Sequence, residues 1–215
     1  MPMPQSTRLI ALRHGETAWN VDSRIQGQLD IGLNATGHWQ AQRLAQALAG
    51  EPITAIYASD LSRAWDTAQH VARATGLQVQ PEPGLRERCF GVFQGRTFAE
   101  VELESPELAQ RWRQRDPHFA PEGGESLVQL FERVTTTAHT LAARHPGELI
   151  ALVGHGGVLD ALYRAATRLD LQAPRSWHLG NAAINRLLWS PEGLALVGWG
   201  DTAHLDADTL DEMRA

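Results

Sequence analysis

LIALRHGE, residues 9–16, sets four apolar residues directly before Arg13, His14, Gly15 and Glu16. The same four letters return at 149–152 and lead to a second histidine, in LIALVGHGG, residues 149–157. A short apolar run without polar alternation reads as a strand buried on both faces. Such a strand, ending on a cation and an imidazole, delivers chemistry to the end of a sheet. The two runs therefore predict two strands whose histidines, His14 and His155, meet at one anion site.

Four further apolar segments flank this pair: Ile53–Ala58, Leu77–Gln80, Ile184–Trp189 and Leu194–Trp199. SPEG, residues 190–193, separates the last two and predicts a hairpin. Helical patterns fill the gaps. They cover Thr36–Leu48, with Thr36 as N-cap candidate, and Leu61–Thr75, which stops at Gly76. Phe98–Arg115, broken near Pro106, Ser126–Arg144 and Val158–Leu169 complete the set. Strands alternating with helices predict an α/β fold with a mostly parallel sheet covered on both faces. No linker or composition shift interrupts the 215 residues, so they read as a single domain. Its core spans about 8–205, with an irregular insertion at 86–125 over one end of the sheet and an acidic tail at 206–215 expected to fray.

Composition narrows the partners. A hydrophobic content of 43% and a charged content of 20% suit a soluble chain with a sizeable core. A formal charge of −6 argues against nucleic acid or an anionic membrane surface as partner. It leaves room for an anionic small molecule, because a few arginines in a pocket override the global sign. The single cysteine, Cys89, makes no intramolecular disulfide and no cysteine metal cage, and reads as a small apolar filler. MPMPQSTR at the start lacks a secretion pattern, and no run reaches the ~18 apolar residues of a membrane span, so a cytoplasmic location is expected. No histidine spacing of the HExxH kind points to a metal. His38, His70, His118, His139, His145, His178 and His204 read as helix-surface or loop residues.

In open α/β sheets, ligands bind beyond the carboxyl ends of the strands. The first four candidate strands lead in turn into RHGET, SDLSRA with Arg63, PGLRERCFG with Glu87, and GHGG with His155. Arginine matches phosphate oxygens. Gly15, Gly156 and Gly157 allow close backbone approach to an anion. A neutral histidine accepts a phosphoryl group, and a carboxylic acid protonates a departing alkoxide. Together they describe phosphoryl transfer that requires no metal.

These residues resemble the histidine phosphatase superfamily, the phosphoglycerate mutase-like enzymes. LRHGETAWN carries the signature, and SRIQGQLDIGLNATGHWQA, IYASDLSRAWDTA, LRERCFGVFQG, PEGGES and ALVGHGG come after it in the family's order over roughly 8–205. The resemblance implies a three-layer α/β/α sandwich without metal or organic cofactor. It implies that His14 is the nucleophile that becomes phosphohistidine, and that Arg13, Arg63 and His155 hold the phosphoryl oxygens. Glu87 would protonate the leaving group and later activate water, while Asn20, Gln26, Gly27 and Gly156 border the phosphate. Arg24 is expected only to hold the loop, and Trp112 to pack.

The expected activity is a phosphomonoesterase for a small phosphorylated metabolite, releasing inorganic phosphate. A phosphoglycerate mutase is the alternative, and a non-catalytic phospho-ligand binding protein the third reading. Mutases of the family carry a longer, basic insertion and a tyrosine and lysine where this chain has Phe90 and Arg96. Here the insertion includes the acidic AEVELESPE, yet keeps Arg111, Arg113 and Arg115. Whether two copies form a homodimer is left open by the sequence.

Overall fold

The structure is a computed structural model that describes residues 6–206. Apart from Asp206, the acidic tail lies outside the described residues. In chain order the elements are β1 (Thr7–Arg13), α1 (Ala18–Val21), α2 (Ala35–Leu48), β2 (Ile53–Ala58), α3 (Ser62–Thr75) and β3 (Val79–Pro81). There follow α4 (Phe98–Glu104), α5 (Pro106–Arg113), α6 (Leu127–Ala142), β4 (Leu149–Gly154), α7 (Gly156–Thr167), β5 (Ile184–Ser190) and β6 (Gly193–Asp201). Short 3-10 turns occupy Pro83–Leu85, Gly91–Phe93 and Ala203–Leu205.

The six strands form one sheet in the order β3-β2-β4-β1-β5-β6. β3, β2, β4 and β1 run parallel, and the β5–β6 hairpin joins through an antiparallel β1–β5 pairing. Side chains alternate across a strand, so each central strand feeds both faces. Leu9, Ala11, Ile150 and Leu152 pack under α6 and α7, against Leu130, Val134, Leu141, Leu159 and Leu162. Ile10, Leu12, Ala151 and Val153 face the opposite way, toward Leu44 and Leu48 of α2 and Ala68 and Val71 of α3. The result is the expected three-layer α/β/α arrangement. Among the described residues no helix is long and apolar enough to cross a membrane.

The register of β1 against β4 levels the two histidines. One residue, Arg13, separates the first LIAL from its histidine; Val153 and Gly154 separate the second. The ladder is offset by one to match, with Leu9 opposite Ile150 and Arg13 opposite Gly154. His14 and His155 thus leave the sheet side by side, and His14 N–H continues the ladder by donating to Gly154 O at 3.0 Å.

Several boundaries differ from expectation for local reasons. The cap of α2 is Asn34, not Thr36: Asn34 Oδ1 accepts from Gly37 N–H at 2.7 Å. The strand expected at Leu77–Gln80 shrinks to Val79–Pro81, because Gly76 turns left-handed and Leu77 N–H returns to Ala72 O at 3.1 Å. Leu77 therefore closes the C-terminal cap of α3. α7 opens two residues before Val158, which puts Gly156 and Gly157 in its first turn. The α4–α5 break at Pro106 falls where expected. Segment 86–125 carries its own small core of Phe93, Val101, Ala109 and Phe119, with Phe90, Phe98 and Trp112 packed against it. Three histidines expected on the surface or in loops have inward roles. His139 Nδ1 accepts from Trp189 Nε1–H at 2.8 Å, His145 links Tyr57 to Glu148, and His204 is half-buried.

Candidate active site

Three strand ends converge here: those of β1, β4 and β2. His14 is buried at the end of β1, with Nδ1 2.6 Å from Gly15 O. A carbonyl only accepts, so Nδ1 carries the proton and Nε2 presents a lone pair. His155 lies beside it, the ring centroids 5.2 Å apart and the planes at 57°. Its Nε2 is 2.9 Å from Ser59 Oγ, just past β2. That hydroxyl oxygen already accepts from Leu61 N–H at 3.3 Å, and its own hydrogen is free for His155 Nε2. In the tautomer in which the hydroxyl donates to Nε2, the imidazole proton of His155 sits on Nδ1.

Two guanidinium groups close the cup. Arg63 is buried in the first turn of α3 and donates to Leu29 O and Gly27 O at 2.9 and 2.7 Å. Arg13 donates through Nη1 to Leu179 O. Arg13 Nε, Arg63 Nε and His155 Nδ1 are all buried without a partner. An unsatisfied buried donor costs about 1–3 kcal/mol. Three of them around one imidazole are a site built for an anion with several oxygens.

Burial, followed by the nearby Arg13 and Arg63, holds His14 well below the usual imidazole range. Burial does the same to His155, seconded by Arg63 and His14. His14 is therefore neutral and nucleophilic on the acid side of neutrality. The same depression links stability to pH. Below about 6.5 the unfolded chain binds protons that the folded chain refuses, so stability falls as pH falls. Between pH 7.5 and 5.5, above the carboxylate range, unfolding free energy should drop by up to about 1.4 kcal/mol per pH unit for each imidazole. Half-exposed His70 and His204 add smaller amounts with the same sign. Urea unfolding at stepped pH reads this directly; a flat profile would contradict neutral burial.

Glu87 borders the cup from the loop after Pro83–Leu85. Its Oε1 accepts from Arg88 N–H at 2.7 Å, and both oxygens lie 3.1 Å from the N–H of Gly157 in α7. Neither neighbouring guanidinium pairs with it. Arg86 holds Asp60, and Arg88 donates to Glu125 O and Phe119 O. A Cβ on Gly157 would stand 2.3 Å from Glu87 Oε1. Alanine suits the helix itself at that position. Gly157→Ala should therefore leave folding intact while displacing the carboxylate, lowering alkyl-ester turnover about tenfold or more. Circular dichroism and steady-state kinetics on the same sample check both halves.

The remaining expected residues surround the cup. Asn20 Oδ1 is committed to the cap of α1, accepting from Thr17 N–H at 3.0 Å. Gly27 adopts φ +53°, and a Cβ there would meet Gln94 Oε1 at 2.1 Å, so the loop is locked to the 86–125 segment. Gln26 is buried with Oε1 unpartnered. Gly156 approaches Arg13 and Glu87. Arg24 bonds Gly95 O and Glu100, the loop-holding role expected of it. Cys89 donates its thiol to Gly123 O.

Three positioning residues were not among those the sequence singled out: Asn181 and Arg133 lie outside every motif, and Thr67 stands unmarked within IYASDLSRAWDTA. Asn181 donates to His14 O at 3.0 Å, and Thr67 Oγ1 accepts from Gly15 N–H at 3.0 Å. Arg133 braces the Glu87 loop through Gly84 O and Arg86 O at 2.8 and 3.0 Å. All three act on backbone groups of distant elements, which no local motif records.

A pocket of about 170 Å³ around His14, Asn20, Gln26 and Arg63 adjoins a larger chamber of about 510 Å³. Arg13, Glu87, Phe90 and Trp112 line both, so the two share a wall. Trp112 is stacked on Phe93 and Phe90 at 5.7 and 5.2 Å and also forms a wall. Among the described residues no three His, Cys, Asp or Glu side chains group as metal donors would.

Residues 9–202 match the profile described as histidine phosphatase superfamily (branch 1). Phosphoglycerate mutase-like protein 4 of Arabidopsis thaliana is 39% identical, over 92% of this chain and 86% of that protein. A metal-independent phosphoserine phosphatase of the same plant is 37% identical, over 94% and 84%. The solved structure of a mycobacterial glucosyl-3-phosphoglycerate phosphatase with VO3 superposes with a TM-score of 0.81 at 35% identity, covering 91% of this chain and 99% of that one.

Proposed function

The chain belongs to the histidine phosphatase superfamily, branch 1, and from that premise we propose that it is a metal-independent phosphomonoesterase working through a phosphohistidine on His14. The observation that carries this reading is the set of three unpartnered buried donors around a neutral imidazole whose Nδ1 is tied to Gly15 O. Arg13, Arg63 and His155 bind the phosphoryl oxygens, with Asn20, Gln26 and the Gly27 and Gly156 backbone at the rim. The Nε2 lone pair of His14 attacks phosphorus. The P–O bond to the leaving group breaks, and its electron pair departs with the alcohol oxygen, which takes the proton from Glu87. Charge developing on the equatorial oxygens meets donors already in place, so little reorganisation is needed. In the second half Glu87, now a carboxylate, takes a proton from water. The water oxygen bonds to phosphorus, the P–N bond breaks, and inorganic phosphate leaves. His14 regains its lone pair.

Hydrolysis is favoured over mutase chemistry because the arginines of the insertion are spent on carboxylates. Arg111 pairs with Asp116, Arg113 with Glu102 and Arg115 with Asp160. None of the three is left as an uncommitted clamp for a second acidic group. The name of the metal-independent plant relative supports the absence of a metal requirement. Incubation with p-nitrophenyl phosphate in EDTA tests the class: turnover is expected, and its absence from mildly acidic to neutral pH would favour a binding protein. With 3-phosphoglycerate and 2,3-bisphosphoglycerate, inorganic phosphate is expected to accumulate; 2-phosphoglycerate in its place would make the chain a mutase.

A further inference from the structure

Arg164 is a buried charge that the chemistry above does not use. It stands in the last turn of α7, 1% exposed, and every nitrogen of its guanidinium is committed. Nε donates to Asp160 Oδ2 at 3.0 Å, Nη1 to Asp170 O, and Nη2 to Ala173 O at 2.9 Å. A buried ion pair is weak evidence for stability, so the role of this one lies in what it holds. It holds residues 168–183, which join α7 to β5 without a helix or strand. An irregular stretch of this length is uncommon in a compact domain unless it serves a site.

The two carbonyls anchor the first half of the segment. Further along, the Arg164 guanidinium lies over the Trp177 ring at 4.8 Å, and that ring stacks on Tyr163 at 4.0 Å. Trp199 Nε1–H fixes the next carbonyl, His178 O, at 3.0 Å. The far end then meets the cup. Leu179 O accepts from Arg13 Nη1, Asn181 Nδ2 donates to His14 O at 3.0 Å, and Ala182 N–H bonds Arg13 O and His14 O at 3.2 and 3.3 Å. Ala182 does so at φ +55°, a conformation that a non-glycine residue keeps only when its surroundings impose it. Arg13 thus leans on Leu179 O with one nitrogen, while its Nε stays free for a phosphoryl oxygen. We propose that Arg164 is a positioning residue for phosphoryl transfer: by clamping Asp170, Ala173 and Trp177 it fixes the 168–183 segment, so that Leu179 O sets the Arg13 guanidinium against the phosphate. The inference rests on the phosphatase reading, in which Arg13 grips the phosphoryl group.

A double-mutant cycle of Arg164→Lys with Arg13→Lys tests it. Arg164→Lys keeps a cation beside Asp160 and gives up the planar fork that reaches the two carbonyls. Its kcat/KM on p-nitrophenyl phosphate should fall about tenfold or more, because a misplacement of about 1 Å caused far from the chemistry costs up to about 10²-fold. Arg13→Lys keeps a cation in the cup but has no guanidinium for Leu179 O to align. In that background the same Arg164→Lys should cost no more than about twofold, since two residues that act through one contact do not add. The thermal midpoint should drop equally in both backgrounds. A merely structural arginine would instead lower activity by the same factor in both. Losses that multiply, or a loss below about twofold in Arg164→Lys alone, overturn the proposal. Should Arg164→Lys fail to fold, Trp177→Leu, which leaves the Arg164–Asp160 pair in place, enters the same cycle with the same expected and overturning results. Should the unaltered protein fail on p-nitrophenyl phosphate, the phosphatase reading falls by itself. Calorimetric affinity for inorganic phosphate is then read through the same four proteins, and losses that multiply overturn the positioning role.

Discussion

His14→Ala is expected to lose at least about 10⁴-fold in turnover, the scale on which removal of a covalent nucleophile acts. The loss should fall on kcat with every ester tested, because on the proposed mechanism the substitution removes the atom that bonds phosphorus. Phosphate binding should survive within a few-fold. The imidazole it removes is neutral, and the cations Arg13 and Arg63 and the His155 donor stay where they were. Calorimetry with inorganic phosphate separates the two effects: retained binding with absent turnover marks a nucleophile, whereas loss of both marks a structural histidine. His14 is buried, so thermal unfolding of the variant must be recorded alongside. A variant that folds, binds phosphate and still turns over at a tenth of the original rate would deny His14 the role of nucleophile.

Glu87→Gln should divide substrates by leaving group. An alkoxide cannot depart near neutrality without a proton, so hydrolysis of alkyl esters should fall about 10²–10⁴-fold, the range of general acid catalysis. p-Nitrophenolate departs unaided, so its release in the first half-reaction should fall far less. The second half-reaction still lacks a base for water. The variant given p-nitrophenyl phosphate should therefore show a burst of nitrophenolate followed by slow turnover, with phosphoenzyme accumulating. The amide oxygen of glutamine can still accept from the N–H groups of Arg88 and Gly157, so the loop geometry is preserved. Equal slowing of alkyl and aryl esters, without a burst, would deny Glu87 the acid role.

The centre of the sheet was legible because chemistry and burial coincide there. LIAL twice over marked two strands buried on both faces, and Arg13, His14 and His155 sit where those strands end. Arg63 and Glu87 come after strands or their connections in the same way, so the end-of-strand rule reached them. The residues it missed lie on supports. Thr67, Arg133 and Asn181 hold backbone groups of other elements; Arg133 and Asn181 sit in stretches that look like ordinary helix or loop, and Thr67, although inside IYASDLSRAWDTA, reads there as one more helical residue. Gly156 and Gly157 precede the helix expected from Val158 but form the first turn of α7, where Gly157 presents its N–H to Glu87. Asn34 overrode Thr36 because its side-chain oxygen reached Gly37 N–H while its amide bonded Glu16, tying the cap to the RHGE turn. Asp160 and Trp177 were invisible: one sits mid-helix beside an arginine four residues on, the other in an irregular stretch before β5.

The most direct measurement is to stop the reaction within its first turnovers under alkaline quench and locate the phosphoryl group by peptide mass spectrometry. It should sit on His14, be lost on mild acid treatment, and be more abundant in Glu87→Gln than in the unaltered protein. Rapid phosphate release with no phosphorylated His14 at any time point, or the label on His155, would contradict a phosphohistidine mechanism centred on His14.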